Sequence, residues 1–184
     1  MRNFWAIVFF AFILLACGKE TLPKPTPYLK LQYPKPSYKK MESNCPYSFE
    51  VSNLAKINFN SNCSARIEYP QLKATIYITY RAVNNNLDEI LKEIEKLTFE
   101  HTIKADAINA IPYEDYEDKV FGKLYNIEGN VATNIQFRAT DSINHVLSGA
   151  LYFYVEPNYD SIVPAVKYVE KDIIHLMETI KWKK

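Results

Sequence analysis

Leu72-Lys73-Ala74-Thr75-Ile76-Tyr77-Ile78-Thr79-Tyr80-Arg81 is the stretch that decides the fold. Leu72, Ala74, Ile76, Ile78 and Tyr80 alternate with Lys73, Thr75, Tyr77, Thr79 and Arg81. A period of two is what a strand gives when one face is buried and the other is not. Just before it, Ala65 to Tyr69 alternates in the same way and stops at Pro70. Just after it, Asn84-Asn85-Asn86 breaks the pattern, and Asn86 with Glu89 three positions on has the form of a capping box. Leu87, Ile90, Leu91, Ile94 and Leu97 then supply the buried stripe of a helix reaching to about Lys104.

Further on the pattern reads as a meander. Val120 to Ile127 and Val131 to Ala139 are strands around the turn at Glu128-Gly129-Asn130, and Asp141 to Asn144 is a second turn. Val146 to Val155, apolar on both faces, is expected in the centre of the sheet. A last helix opens at Asp160 or Ser161 with Pro164 in its first turn, and Ile162, Val166, Val169, Ile173, Leu176, Met177 and Ile180 form its stripe. The expected class is α+β, an antiparallel sheet with two helices packed on it.

The N-terminus reads differently. Met1-Arg2-Asn3 is a short basic region, and Phe4 to Ala16 carries no charge. A helix of that length spans ~20 Å at 1.5 Å per residue, short of a ~30 Å hydrocarbon core, so it reads as a secretory leader. It ends Leu14-Leu15-Ala16-Cys17, which resembles a lipobox. Residues 1–16 are expected to be removed and Cys17 to be acylated, for instance with palmitate, which holds the protein on a membrane. The competing reading is an ordinary secretory leader with an unrelated cysteine. Gly18 is not the aspartate that retains lipoproteins at the inner membrane, so an outer-membrane position facing the periplasm is expected.

Residues 17–41 read as a tether and 42–184 as a single domain. Pro23, Pro25, Pro27, Pro34 and Pro36 favour extended geometry, with a reach of ~70 Å at ~3.1 Å per residue. Six lysines there (19, 24, 30, 35, 39 and 40) face one acid, Glu20. Tyr28, Tyr33 and Tyr38 recur among the prolines. The segment is either a solvated spacer or a docking peptide whose tyrosines fill grooves on a partner or on the chain's own domain. The whole chain has 22 Lys+Arg against 21 Asp+Glu, and loss of Arg2 leaves 21 of each. Near-neutrality and export both argue against nucleic acid as a partner. With Cys17 acylated, Cys45 and Cys63 are the remaining pair; in an oxidising compartment a disulfide worth about 3 kcal/mol is expected, the alternative being two free or buried thiols.

No catalytic set stands out. His101 continues the first helix stripe and reads as a packing residue. Asp141, His145 and Ser148 invite a triad reading that fails, because all three sit on one turn and strand start without a nucleophile elbow. Asp172, His175 and Glu178 share a helix face and read as a solvated polar face. Glu114, Asp115, Glu117 and Asp118 lack the spacing of a calcium loop and read as an exposed acidic turn, or as a surface for a basic partner. Only four glycines occur, and no phosphate-cradling loop is among them. No metal or cofactor is expected.

Certain longer strings carry a resemblance: Tyr69 to Tyr77, Lys104-Ala105-Asp106, Phe121 to Tyr125, Gln136-Phe137, Thr140-Asp141-Ser142, Leu151-Tyr152-Phe153, Pro157 to Ser161 and His175 to Ile180. Together they resemble the gliding motility lipoprotein GldD family over nearly the whole mature chain. The resemblance implies a non-enzymatic envelope lipoprotein required for gliding, linked to type IX secretion and working with other envelope proteins of those systems. Only Cys17 inherits a defined role, as the lipid site. The element order is also similar to PsbP-like α/β/α sandwiches, which implies the alternative of a ligand-binding envelope module.

Overall fold

The structure is a computed structural model and describes residues 33–41, 43–100, 104–155 and 158–183. Its centre is a seven-stranded antiparallel sheet in the order β4-β5-β6-β10-β9-β8-β7. These strands are β4 (Lys56–Phe59), β5 (Ala65–Tyr69), β6 (Ala74–Ala82), β7 (Ala107–Asp115), β8 (Val120–Glu128), β9 (Thr133–Thr140) and β10 (His145–Phe153). Helix α1 (Leu87–Glu100) carries the chain from the end of β6 to the far edge at β7, and the meander returns until β10 pairs with β6. Helix α2 (Tyr159–Glu178) follows. The class is the expected α+β.

Strand alternation decides what each face meets. Ile76 and Ile78 of β6, Ile135 and Phe137 of β9, and Leu147 and Leu151 of β10 are buried in one cluster with Val169, Ile173 and Leu176 of α2. Residues one position away point to the opposite face: there Val146 packs with Ile90 and Ile94 of α1, and Gln136 accepts a hydrogen bond from Thr98 at 2.8 Å. One helix therefore lies on each side of the sheet. Gly149 is required by the α2 side, since a Cβ there would stand 2.2 Å from the Phe137 ring.

Two small sheets flank the large one. β1 (Tyr38–Lys40) pairs with β3 (Glu50–Ser52), and β2 (Tyr47–Ser48) pairs with β11 (Lys181–Trp182). Cys45 and Cys63 are joined by a disulfide with Cα atoms 5.5 Å apart.

Several expectations are adjusted. Leu72 lies in a 3-10 turn (Pro70–Leu72) that Lys73, at φ 49°, closes, so β6 starts at Ala74. Asn86 does not form the expected reciprocal cap: its Oδ1 accepts from the Asn84 N–H at 2.8 Å, while its carbonyl receives the Ile90 N–H. Helix α1 ends at Glu100, and His101 lies outside the described residues. Pro164 falls inside α2, which starts at Tyr159. Met41 and Tyr33 pack against the main core, so the tether boundary drawn at residue 41 moves back: from Tyr33 onward the chain belongs to the folded body. Among the described residues no helix is long and apolar enough to cross a membrane.

Candidate functional site

The segment Tyr33 to Lys40 is laid along α2 by aromatic contacts. The Tyr33 ring stacks on Tyr168, with centroids 4.5 Å apart, and the Tyr168 hydroxyl donates to the Pro34 carbonyl at 3.2 Å. Five residues on, Tyr38 stacks on His175 at 3.6 Å. Its hydroxyl donates to Asp172 Oδ1 at 3.0 Å, and the Tyr69 hydroxyl donates to Oδ2 of the same carboxylate, also at 3.0 Å. His175 Nε2 meets Glu50 Oε2 at 2.8 Å. The β1–β3 pairing completes the latch, joining Tyr38 to Ser52 and Lys40 to Glu50.

Asp172 corrects an expectation. Read from the sequence as part of a solvated polar face, it is 4% exposed, because Tyr38 and Tyr69 close over it from distant parts of the chain. Burial, followed by the hydrogen bond and the charge of Asp172, holds the Tyr38 hydroxyl well above the usual tyrosine range. For Tyr69 burial comes first and the Asp172 charge second, in the same direction. Burial does the same to Tyr47.

A dependence on pH follows. A folded-state pKa raised above the unfolded value near 10 means that, above that pH, the unfolded chain releases protons the folded chain keeps. Stability is fully present below about pH 10 and is lost as pH rises through the folded-state values. Thermal melts from about pH 8 to about pH 12 are expected to stay level and then fall, with Tyr69→Phe flattening the fall. A decline that begins near neutrality would contradict this assignment.

The second concave feature lies on the α1 side. Helix α1 covers only part of that face of β6, β10 and β9, leaving a groove of about 650 Å³. Ser148 and Ala150 form its floor, Thr79 and Gln136 its flanks, Leu97 its helical wall, and Tyr77 and Tyr152 one end. The β10 side chains that face the groove, Ser148 and Ala150, are small and half-buried.

The histidine candidates take structural roles. His145 Nδ1 meets the Tyr80 hydroxyl at 2.9 Å, and its ring stacks on Trp182 at 5.4 Å. Asp141 Oδ1 accepts the backbone N–H groups of Ile143, Asn144 and His145, which is turn formation, and Ser148 points to the other face of the sheet from His145. The acidic segment is the end of β7 and the turn after it: Asp115 Oδ1 accepts from Glu117 N–H and Asp118 N–H, and Asp118 pairs with Lys181. Among the described residues no group of three or more His, Cys, Asp or Glu is placed to hold a metal ion. Of the tether tyrosines, Tyr33 and Tyr38 meet the chain's own helix, while Tyr28 lies outside the described residues, as does Cys17.

Sequence reasoning missed Tyr69, Tyr168 and the groove floor. Tyr69 reads only as the end of an alternating strand and Tyr168 stands outside the helix stripe, and nothing in the local pattern says that their hydroxyls face a carboxylate and a carbonyl.

No curated protein and no solved structure matches the chain. The profile described as gliding motility lipoprotein GldD matches residues 18–182, which takes in the latch, both helices and every strand of the large sheet. The chain belongs to the GldD family of gliding motility lipoproteins.

Proposed function

We propose that this protein is a non-enzymatic scaffold component of the gliding apparatus, acylated on Cys17 and held at the outer membrane with its body in the periplasm. Its partners are other envelope proteins of gliding and of type IX secretion. The observation that carries this reading is the latch. From Tyr33 onward the chain is built into the body through Tyr33, Tyr38 and the β1–β3 pairing. A part that holds other proteins near a bilayer against load needs such a junction.

The leash is shortened accordingly. At the same ~3.1 Å per residue, residues 18–32 reach about 45 Å, against the ~70 Å of a tether running to residue 41. The polar groups a hydrolase would use also support the reading: His145, His175, Asp141 and Asp172 each hold a neighbouring element in place.

Deleting the gene is expected to abolish spreading and to lower secretion of type IX substrates. A Cys17→Ser copy should fail to restore either, whereas a His145→Ala copy should restore both. Normal motility and secretion in the deletion strain would overturn the proposal. A folded but inactive His145→Ala protein would point to hydrolytic chemistry instead.

A further inference from the structure

The groove on the α1 side has no part in the anchored junction, and its chemistry is specific enough to name what enters it. Its volume of about 650 Å³ is in the range of small-ligand sites, not that of a flat protein interface. Its walls combine ring faces with hydroxyls. Tyr77 and Tyr152 meet edge to face at 5.6 Å, and the Tyr77 and Tyr154 hydroxyls are hydrogen-bonded to each other at the mouth. Tyr77 is 38% exposed and Tyr154 58%, so much of this aromatic surface faces the groove and solvent. Thr79 and Ser148 bring hydroxyls to the lining, and Thr98 holds Gln136 Oε1, so that the amide nitrogen is the atom with hydrogens to donate.

Charge narrows the choice. Arg81, the one ionisable cation of the lining, is engaged by both carboxylate oxygens of Glu93, at 2.6 and 3.0 Å. The lining residues themselves therefore carry no unpaired charge, and beside them Arg138 stands across from Ser148 and Arg66 across from Tyr77 on the same face, where guanidinium groups can donate to ligand hydroxyls. An acyl chain would strip water from the threonine, serine and glutamine groups and return no hydrogen bond, at about 1–3 kcal/mol each. A peptide adding as a strand finds no edge, because β6, β10 and β9 already pair with neighbours on both sides. A compound with C–H faces to lie on tyrosine rings and hydroxyls to meet Thr79, Ser148 and Gln136 satisfies all of these conditions.

We infer that the groove between α1 and strands β6, β10 and β9 is a binding site for an oligosaccharide, with Tyr77 and Tyr152 as the stacking platform and Ser148 and Ala150 as the floor. The site is independent of the scaffold reading, since it uses neither the latch nor the anchor.

The test is titration of the full mature protein with chitotetraose and with maltotetraose, followed by calorimetry and by the tyrosine resonances. At least one tetrasaccharide is expected to saturate the protein. Ala150→Trp, which fills the floor, and Tyr152→Ala, which removes a platform ring, are each expected to weaken it by about tenfold or more. Should Ala150→Trp misfold, Tyr152→Ala and Thr79→Val carry the test, with melting temperatures confirming that the fold is intact. Failure of both sugars to bind, binding unchanged in the folded variants, or saturation by decanoate or by a proline-rich peptide instead would each overturn the assignment.

Discussion

Asp172→Ala is expected to destabilise the protein by about 3–5 kcal/mol, the loss typical when a buried, hydrogen-bonded network loses its central charge. Asp172 is the only charged residue among the buried polar positions described, and both its oxygens are occupied by tyrosine hydroxyls. Alanine removes the acceptor but leaves the Tyr69 hydroxyl enclosed, so the cost is that of an orphaned donor plus a cavity. The same substitution unfastens Tyr38, so limited proteolysis should cut between residues 33 and 41 faster than in the parent. The triple variant Tyr38→Phe, Tyr69→Phe, Asp172→Leu separates the causes: replacing the network with apolar groups should recover much of the loss. Urea unfolding with Asp172→Ala within about 1 kcal/mol of the parent would show that the carboxylate matters little.

The second large effect concerns the disulfide. Replacing Cys45 and Cys63 together by serine is expected to cost about 3 kcal/mol, because the bridge restricts the unfolded chain across a separation of 18 residues. For a body of this size that corresponds to a melting temperature lower by about 6–12 °C. The bridge also holds a packed element: Tyr47, fully buried between the two cysteines, donates its hydroxyl to the Cys63 carbonyl and pairs with Trp182 through β2 and β11. The loss should therefore appear first as fraying of the C-terminal strand in hydrogen exchange. Calorimetry of the oxidised protein with and without dithiothreitol checks it, and equal melting temperatures would count against a structural role.

The parts of the fold that a one-dimensional pattern can carry were legible. β6 and β9 alternate in residue type and α1 and α2 keep their stripes, because one face of each meets the main apolar core while the other meets a smaller, more polar contact or solvent. β7 was not legible. It is the edge of the sheet, mostly exposed, and holds Pro112, so neither alternation nor composition announces a strand. β1, β2, β3 and β11 are two or three residues long, below the length at which periodicity exists.

The candidate sites depended on contacts that the sequence does not order. Tyr38 and Asp172 lie 134 positions apart, and spacing on a helix cannot reveal that a remote tyrosine covers one of its carboxylates. The groove was hidden for another reason. β10 reads as apolar throughout, and only its register between β6 and β9 shows that Ser148 and Ala150 sit opposite an uncovered stretch. What the strings at Tyr69 to Tyr77 and His175 to Ile180 did convey was kinship, which the match over residues 18–182 bears out.

The position of the disulfide just behind the latch has a mechanical consequence. If the lipid sits on Cys17, drag between membrane and body enters the fold at Tyr33 and reaches Tyr38 and β1 next. Peeling that strap away would pay out the chain from residue 33 to residue 45, about 40 Å of slack at full extension. There it meets Cys45, whose covalent bond to Cys63 carries the pull across to the turn between β4 and β5 at the edge of the large sheet. The protein would then stretch by a set amount under force and recover when the pull ends, as a shock absorber with a hard limit does.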